Sequence, residues 1–441
     1  MSIRERLEQH WFAPARVRDL AYLRIALVGV MLAGSMWPGA LDHQLRLTLL
    51  PAEWFEALPA LKVLTAPLVW GWGVRPSALL VTSMWILCGA AGLFALVGAH
   101  TRLSLALFAY ANTFLIAHAF SYGTLQHPQA PATIILFVLL LTPCGEALSV
   151  DSMRKRVAES RRRGEFIPRA GEATSASARW PLRLTQWLLV AAYLSAGVSK
   201  LVVGKGAWMN GYTMGYYLLL DGFGHRLPLS VVIAHVHWLG VVSAVVTLAF
   251  ELTFVVSVLW PRTFPVYGAV GTGLHTGIFL LMRAPFFQFV AMYAAWGEAL
   301  RDARLAIFAR AERRGWTIVY DGYSPSCIRT MTQLDELDGG RRLRFVDLER
   351  ELPRAQELVP GVSIEELRKE MVVVTPEGRA LRGFFAFREL SKRLAVLWVW
   401  APVMYAPGAE WVGTRVYAWV TERRARRAAA SSVIDFGGSA S

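Results

Sequence analysis

Charge is scarce in this chain. Asp, Glu, Lys and Arg make up only 18% of its 441 residues, against about 25% in soluble domains. That is too little to clothe a fully water-exposed surface. Acid is scarcer than base, with 32 acidic against 46 basic residues and a net charge of +14. Cysteine is rarer still: Cys88, Cys144 and Cys327 are the whole complement, which excludes a disulfide-stapled secreted fold. Cys88 and Cys144 fall in apolar stretches, where packing is their expected role. Metal-ligand spacing is missing as well. There is no His-x-x-x-His and no cysteine pair, and His235 and His237 stand two apart near a predicted interface, so no metal is expected. The start, MSIRERLEQHWFAPARVRDL, is basic and lacks a short apolar core followed by a small-residue cleavage site. The apolar run after it therefore reads as a retained helix and not a removed signal peptide.

What the chain has instead is apolar length. Hydrophobic residues are 55% of it, mean hydropathy is +0.38, and the stretches 76–101 and 103–145 contain no ionisable Asp, Glu, Lys or Arg at all. A bilayer core takes roughly 20 apolar residues per helix, so the sequence predicts a polytopic α-helical membrane bundle. Predicted spans are 20–41 (with Arg24 near enough to its start to snorkel), 77–99, 103–121, 129–144, 184–203, 238–260, 264–282 and a weak 284–300, about eight in all. The stretch 227–261 is overlong, and its first part reads as a short re-entrant or interfacial helix. Between the fourth and fifth spans, the loop 152–183 carries nine basic residues from Arg154 to Arg183. The positive-inside rule makes that loop cytoplasmic, and counting spans places the N-terminus and the C-terminal region on the same side. Basic residues sit mainly between spans, where they set topology and meet anionic headgroups. Nucleic acid is therefore not expected as a partner; the lipid bilayer is.

Residues 1–300 thus form the predicted membrane part, and 301–315 a basic linker. From about Trp316 the grammar changes to α/β. TIVYDG reads as a strand, 325–337 as a helix, LRFVDL (343–348) as a strand and EELRKE as a helical turn. MVVVT and RALRG follow as strands about a PEG hairpin turn, then a helix over 384–398. This is a small thioredoxin-like domain over 316–425, followed by an Ala/Ser/Gly-rich tail, 426–441, expected to be disordered.

Ionisable residues inside spans are costly and so are candidates for function. Lys200 ends AAYLSAGVSK, and helical spacing puts Tyr193, Gly197, Lys200 and Gly204 on one face. The amine either faces protein through the glycine gap or snorkels to the surface from the span's end. Held away from water, a lysine can serve as a general base near neutrality. His275 lies mid-span in GTGLHTG, either a satisfied core histidine or a site residue. Glu251, in AFELTF, must pair or be protonated, and a structural partner such as an arginine or histidine on a neighbouring helix is expected. His127, in QHPQAP, falls on the outer side with Lys200, where the two could converge on a pocket.

The stretches PARVRDLAYLRIALVGVML, LTPCGEALSVD, YLSAGVSKLVVGKGAWMNGYTMGYYL and FELTFVVSVLWPRTF through LHTGIFLLMRAPFFQF resemble, in order and spacing, the HTTM domain that vitamin K-dependent gamma-carboxylases share with many bacterial proteins. The resemblance implies an integral membrane protein, expected in a bacterial inner membrane. It puts Lys200 of AGVSK on the position of the lysine proposed as base toward vitamin K hydroquinone, with Ser199 in place of the preceding lysine. It also implies catalytic roles for His127 and His275 and a quinone or quinol as the cofactor; Glu251 and Tyr193, from their places in the helices, are ligand-pocket candidates beside them. The region that grips a carboxylase substrate's propeptide has no counterpart here, so the implied ligand is quinol-like or lipidic and glutamate carboxylation is not expected.

The run Tyr320-Asp321-Gly322-Tyr323-Ser324-Pro325-Ser326-Cys327, with LRFVDL, VVTPEGRALRG and WAPVMYAPGAEWVGTRVYAWV, resembles the DCC family, which opens with Y-D-G-x-C-x-x-C. Ser324 stands where the attacking thiol belongs. Cys327 is left as the resolving thiol without a partner nearby in sequence, so dithiol exchange is blocked. The resemblance then implies a binding or regulatory module that recruits a protein partner. The alternatives are a non-catalytic membrane scaffold and, against Ser324, a thiol-disulfide oxidoreductase.

Overall fold

A computed structural model describes residues 2–69, 74–123, 129–168, 173–303, 315–338, 342–394, 397 and 400–436. It divides into two compact units, Met1–Asp151 with Glu172–Ala306, and Ser152–Gly171 with Ile307–Ser441. The chain is mostly helical. In order, the helices that matter below are α1 (Val17–Ser35), α2 (Ala78–Val97), α3 (Thr101–Phe120), α4 (Gln129–Leu140), α5 (Val150–Arg163), α6 (Ala176–Val202), α7 (His237–Thr253), α8 (Phe264–Met282), α9 (Pro325–Leu337), α10 (Gly383–Arg393) and α11 (Ala409–Phe436).

The first unit is a helical bundle around Leu20, Leu27, Phe108, Phe114 and Ile135, all fully buried. Among the described residues, three helices are long and apolar enough to cross a bilayer: α2, α3 and the run Pro261–Met282 that contains α8. Two bent pairs raise this to five if each is one span. One is α1 with Ala40–Thr48, bent by 58°; the other is Pro228–Ala234 with α7, bent by 93°. The sharp second bend is the separate short helix expected at the start of 227–261. The expected span 20–41 ends early because Gly39, at φ +89°, turns the chain before Ala40. At 129–144 the helix is the 12-residue α4. Over 284–300 a short helix Phe287–Met292 runs into a 3-10 turn at Tyr293–Trp296.

Arg24 corrects the sequence reading. It does not snorkel but is fully buried, and its Nη2 donates to the Leu148 carbonyl at 2.7 Å. Gly98, which caps α2 at φ +67°, makes room for it, because a Cβ there would strike the Arg24 guanidinium. The α3 N-terminus is capped from afar. The Asp151 carboxylate accepts from the His100 and Thr101 N–H groups at 2.9 and 2.7 Å and from the Thr101 hydroxyl at 2.8 Å. Burial works against ionisation of Asp151, but these donors win and hold its carboxyl below the usual range.

The second unit is a four-stranded sheet. Its strands are β3 (Trp316–Tyr320), β4 (Leu343–Asp347), β5 (Val372–Val374) and β6 (Ala380–Arg382), numbered after a two-residue pair, β1 (Ala15–Arg16) and β2 (Thr174–Ser175), in the first unit. The order is β4-β3-β5-β6, with β3 parallel to β4 and antiparallel to β5. Alternation along β3 sends Trp316, Ile318 and Tyr320 into a core with Ile328, Leu334 and Leu390. Val319 goes to the other face, with Val346, Ala355 and Leu367. The α/β order expected from the sequence is present; α10 stops at Arg393, short of the expected 398.

Two features depart from the expected boundaries. Residues 152–168, read as part of a loop, belong to this unit: Phe166 joins its core, with its ring 5.8 Å from Tyr320 and 4.8 Å from Phe345. Residues 426–436, read as the start of a tail, continue α11. Most of the expected linker, 304–314, lies outside the described residues.

Candidate functional site

The polar residues singled out inside apolar helices are gathered where α6, α7 and α8 meet the segment 287–296. Gly197 of α6 decides how closely α7 approaches. A Cβ on it would lie 3.0 Å from Leu252 Cδ2 and 3.2 Å from Glu251 Cβ, tighter than ordinary packing allows. Without one, Lys200, one turn further along, reaches across and donates from Nζ to Glu251 Oε1 at 2.5 Å. The two side chains are only 19% and 10% exposed, and the Trp208 ring lies 5.0 Å from the ammonium. Lys200 thus faces protein, and the partner of Glu251 is this lysine and not the expected arginine or histidine. The other carboxylate oxygen, Glu251 Oε2, is buried without a hydrogen-bond partner.

About two turns back along α6, the Tyr193 hydroxyl lies 2.8 Å from His275 Nε2 and 2.7 Å from the Tyr293 hydroxyl. The Tyr193 ring is clamped by Phe250, Phe254 and Phe289, with centroids 5.1, 4.7 and 5.4 Å away. If Tyr293 donates to Tyr193 and Tyr193 to His275 Nε2, the remaining imidazole proton sits on Nδ1. That atom too is buried without a partner. Gly271 of α8 opens the space, since a Cβ there would run into the Tyr293 hydroxyl and come within 2.8 Å of Phe250 Cζ.

The structure therefore pairs the expected residues differently from the expected convergence. Lys200 joins Glu251 and Tyr193 joins His275; among the described residues no hydrogen bond links one pair to the other. Phe250, next to Glu251 in sequence, packs on Tyr193. His127 lies outside the described residues. Tyr293, Gly271 and Trp208 escaped the sequence reading. Tyr293 was findable, because a tyrosine inside an apolar run must place its hydroxyl somewhere.

In the second unit, Ser324 is the N-cap of α9 with Pro325 at the first helical position. Its hydroxyl is 2.9 Å from that of Ser326. Cys327, in the first turn, is half-buried against the β3 core. The Asp321 carboxylate accepts the Tyr323 N–H at 2.9 Å, shaping the turn that delivers Ser324. Burial, reinforced by Asp347, raises the Tyr320 phenol well above its usual range. A helix N-terminus favours negative charge, so a thiol at position 324 would be activated there; a hydroxyl would not form a mixed disulfide. Cys88 and Cys144 are both buried. Among the described residues no group of three or more His, Cys, Asp or Glu side chains could hold a metal.

Residues 318–429 match the DCC1-like thiol-disulfide oxidoreductase family. The match covers nearly all of the α/β sheet and its helices, including Ser324 and Cys327. No curated protein and no solved structure gives a match.

Proposed function

We propose that this chain is an integral membrane protein of HTTM type. Its helical unit binds a quinol-like or lipidic ligand through Lys200, Glu251, Tyr193 and His275, and its DCC1-like unit serves as a binding or regulatory module. The observation that carries the ligand site is the incomplete satisfaction of two buried polar groups, Glu251 Oε2 and His275 Nδ1. Buried polar atoms are nearly always hydrogen-bonded; a ligand hydroxyl donating to Glu251 Oε2 and a ligand oxygen accepting from His275 Nδ1–H would complete the two. The Lys200–Glu251 bond offers a route to a base. Moving one proton from the ammonium to the carboxylate leaves a neutral pair, which a poorly hydrated site tolerates better than water does. The free amine can then accept a proton from a ligand hydroxyl.

Topology supports the membrane reading. Segments 152–171 and 307–441 form one folded unit, joined by Arg156 to Asp335 at 2.5 Å and to Glu336 at 3.1 Å. One such unit lies on one side of a bilayer, so the chain between its halves crosses an even number of times. Among the described residues, Pro261–Met282 and the bent pair Pro228–Ala234 with α7 would give two crossings there, an even number, as would the four expected over 184–300 within a total of about eight. The basic run in 152–163 favours the cytoplasmic side.

Native mass spectrometry of the purified protein tests the ligand site. A co-extracted quinone or lipid should be retained by the natural chain and lost in Lys200→Ala and Glu251→Gln. The same ligand profile in all three would sink the proposal. For the second unit, the full chain should show no dithiol exchange unless Ser324→Cys restores the first thiol, and exchange in the natural chain would overturn the binding-module reading.

A further inference from the structure

Among the described residues, helix α11 packs against α10 through one face. Toward α10, Gly413 lets the Phe384 ring lie against the helix, Tyr417 packs on Phe387 at 6.2 Å between centroids, and Glu410 pairs with Arg388 at 3.5 Å. The opposite face carries Trp411, Val412, Arg415, Val416, Trp419 and Arg423, with Glu422 the acidic residue among them, and these share a little over a third of the helix circumference at 3.6 residues per turn. Trp411 and Trp419 are 64% and 57% exposed. Each supports an arginine: Arg415 lies 3.6 Å from the Trp411 ring centroid and Arg423 5.1 Å from that of Trp419. An open apolar groove of about 710 Å³ between Phe384, Met404, Pro407 and Trp411 continues the patch, and Trp400 and Val403 are exposed beside it.

Soluble domains rarely leave so large a contiguous apolar surface unused. Indoles with guanidiniums stacked on them suit one environment well. At a bilayer surface the ring sits at headgroup level while the cation meets lipid phosphate. The charge pattern agrees: α11 continues into TERRARR, residues 421–427, a basic cluster of the kind that binds anionic lipid. Glu422 is the acidic exception on this stretch. Because the same chain carries helices able to cross a bilayer, that surface is held at high effective concentration.

We infer that the aromatic–arginine face of α11 docks on the anionic surface of the membrane. Docking turns the α/β unit from a tethered domain into one held flat against lipid.

The test uses the full chain in nanodiscs of phosphatidylcholine, with or without phosphatidylglycerol. Retention in the discs reports separately on the spanning helices. An environment-sensitive fluorophore is placed on Val416→Cys, with Cys327→Ser to remove the half-buried thiol and with Glu365→Cys as a control on an exposed helix elsewhere in the unit. The probe at 416 should shift to the blue and become protected from iodide only when phosphatidylglycerol is present, while the probe at 365 stays in water. Replacing Arg415 and Arg423 by Gln should weaken docking about thirtyfold, on the basis of two cations near an anionic surface. A probe at 416 exposed to iodide in both lipids would overturn the inference. So would protection that is equal in both lipids, or protection that depends on protein concentration in detergent, which would mean that a second copy covers the face.

Discussion

Each unit buries a carboxylate against a cation, and the two are finished differently. In the α/β unit Glu336 is fully buried. It accepts from Ser152 Oγ at 2.9 Å on one oxygen and from Arg156 Nη1 at 3.1 Å on the other. In the helical unit Glu251 accepts from Lys200 on one oxygen and leaves the other buried without a partner. A completed network is a staple. A half-completed one in a close-packed interior costs stability. The DCC1-like motif repeats the lesson in reverse: position 324, where the family's chemistry would begin, holds a hydroxyl already engaged with Ser326.

The sharpest way to break this contrast is Arg156→Ala. It strips the cation from a fully buried carboxylate, and breaking such a pair costs about 3–5 kcal/mol. The α/β unit should unfold at markedly lower temperature, with the loss largely relieved when Glu336→Met is added. An unchanged melting temperature for Arg156→Ala would mean that the network is not a staple and that residues 152–168 are not an integral part of the unit. The next effect is smaller and belongs to the helical site. Gly271→Ala forces a methyl group against the Tyr293 hydroxyl and Phe250, an overpacking expected to cost about 1–3 kcal/mol and to displace Tyr293 from Tyr193. Gly277→Ala, on the same helix with nothing within 4 Å of the added carbon, should stabilise by about 0.5–1 kcal/mol instead. Thermal unfolding in detergent compares the two; equal effects would show that Gly271 is not there to seat Tyr293.

How much of this could be read in the sequence differs between the units for a physical reason. The α/β unit follows local rules. The Pro325 start of α9, the alternation in TIVYDG and the PEG turn between β5 and β6 each follow from a few adjacent residues, and the expected elements lie close to the observed ones. The docking of 152–168 onto that unit depends on contacts between Arg156 and Glu336, 180 residues apart, and a basic run gives no sign of them. In the helical unit, hydropathy marked the apolar stretches; Lys200, Glu251 and His275 stood out because an ionisable group in an apolar helix is expensive, and Tyr193 because it shares a helix face with Lys200. Which of them meet was illegible, because it depends on a missing Cβ at Gly197 and another at Gly271. The bends after α1 and before α7 were only partly read: the break before His237 was expected from length, whereas the Pro38-Gly39 turn signal was passed over inside the apolar run.

A third carboxylate sharpens the contrast from the solvent side, with the smallest effect. Glu366 closes a capping box at the start of the helix Ile364–Lys369. Its carboxylate accepts the Ser363 N–H at 3.1 Å, and Ser363 Oγ accepts the Glu366 N–H at 3.3 Å. The Ser363 N–H, then its hydroxyl, then the charge of Arg382 hold the Glu366 carboxyl below its ordinary value. A carboxyl lowered in the folded state binds its proton less readily there than in the unfolded chain. Its contribution is therefore complete above the ordinary carboxyl range, about 4.3, and is lost as pH falls through the lower, folded value. Amide exchange across 364–369 should accelerate over that acid window while the core strand β3 stays protected. Glu366→Gln keeps an acceptor at the same place without a charge to titrate, and should remove the acid dependence. If the glutamine chain loosened with the same acid profile as the natural one, the box would not be the cause, and exposure alone would explain the fraying.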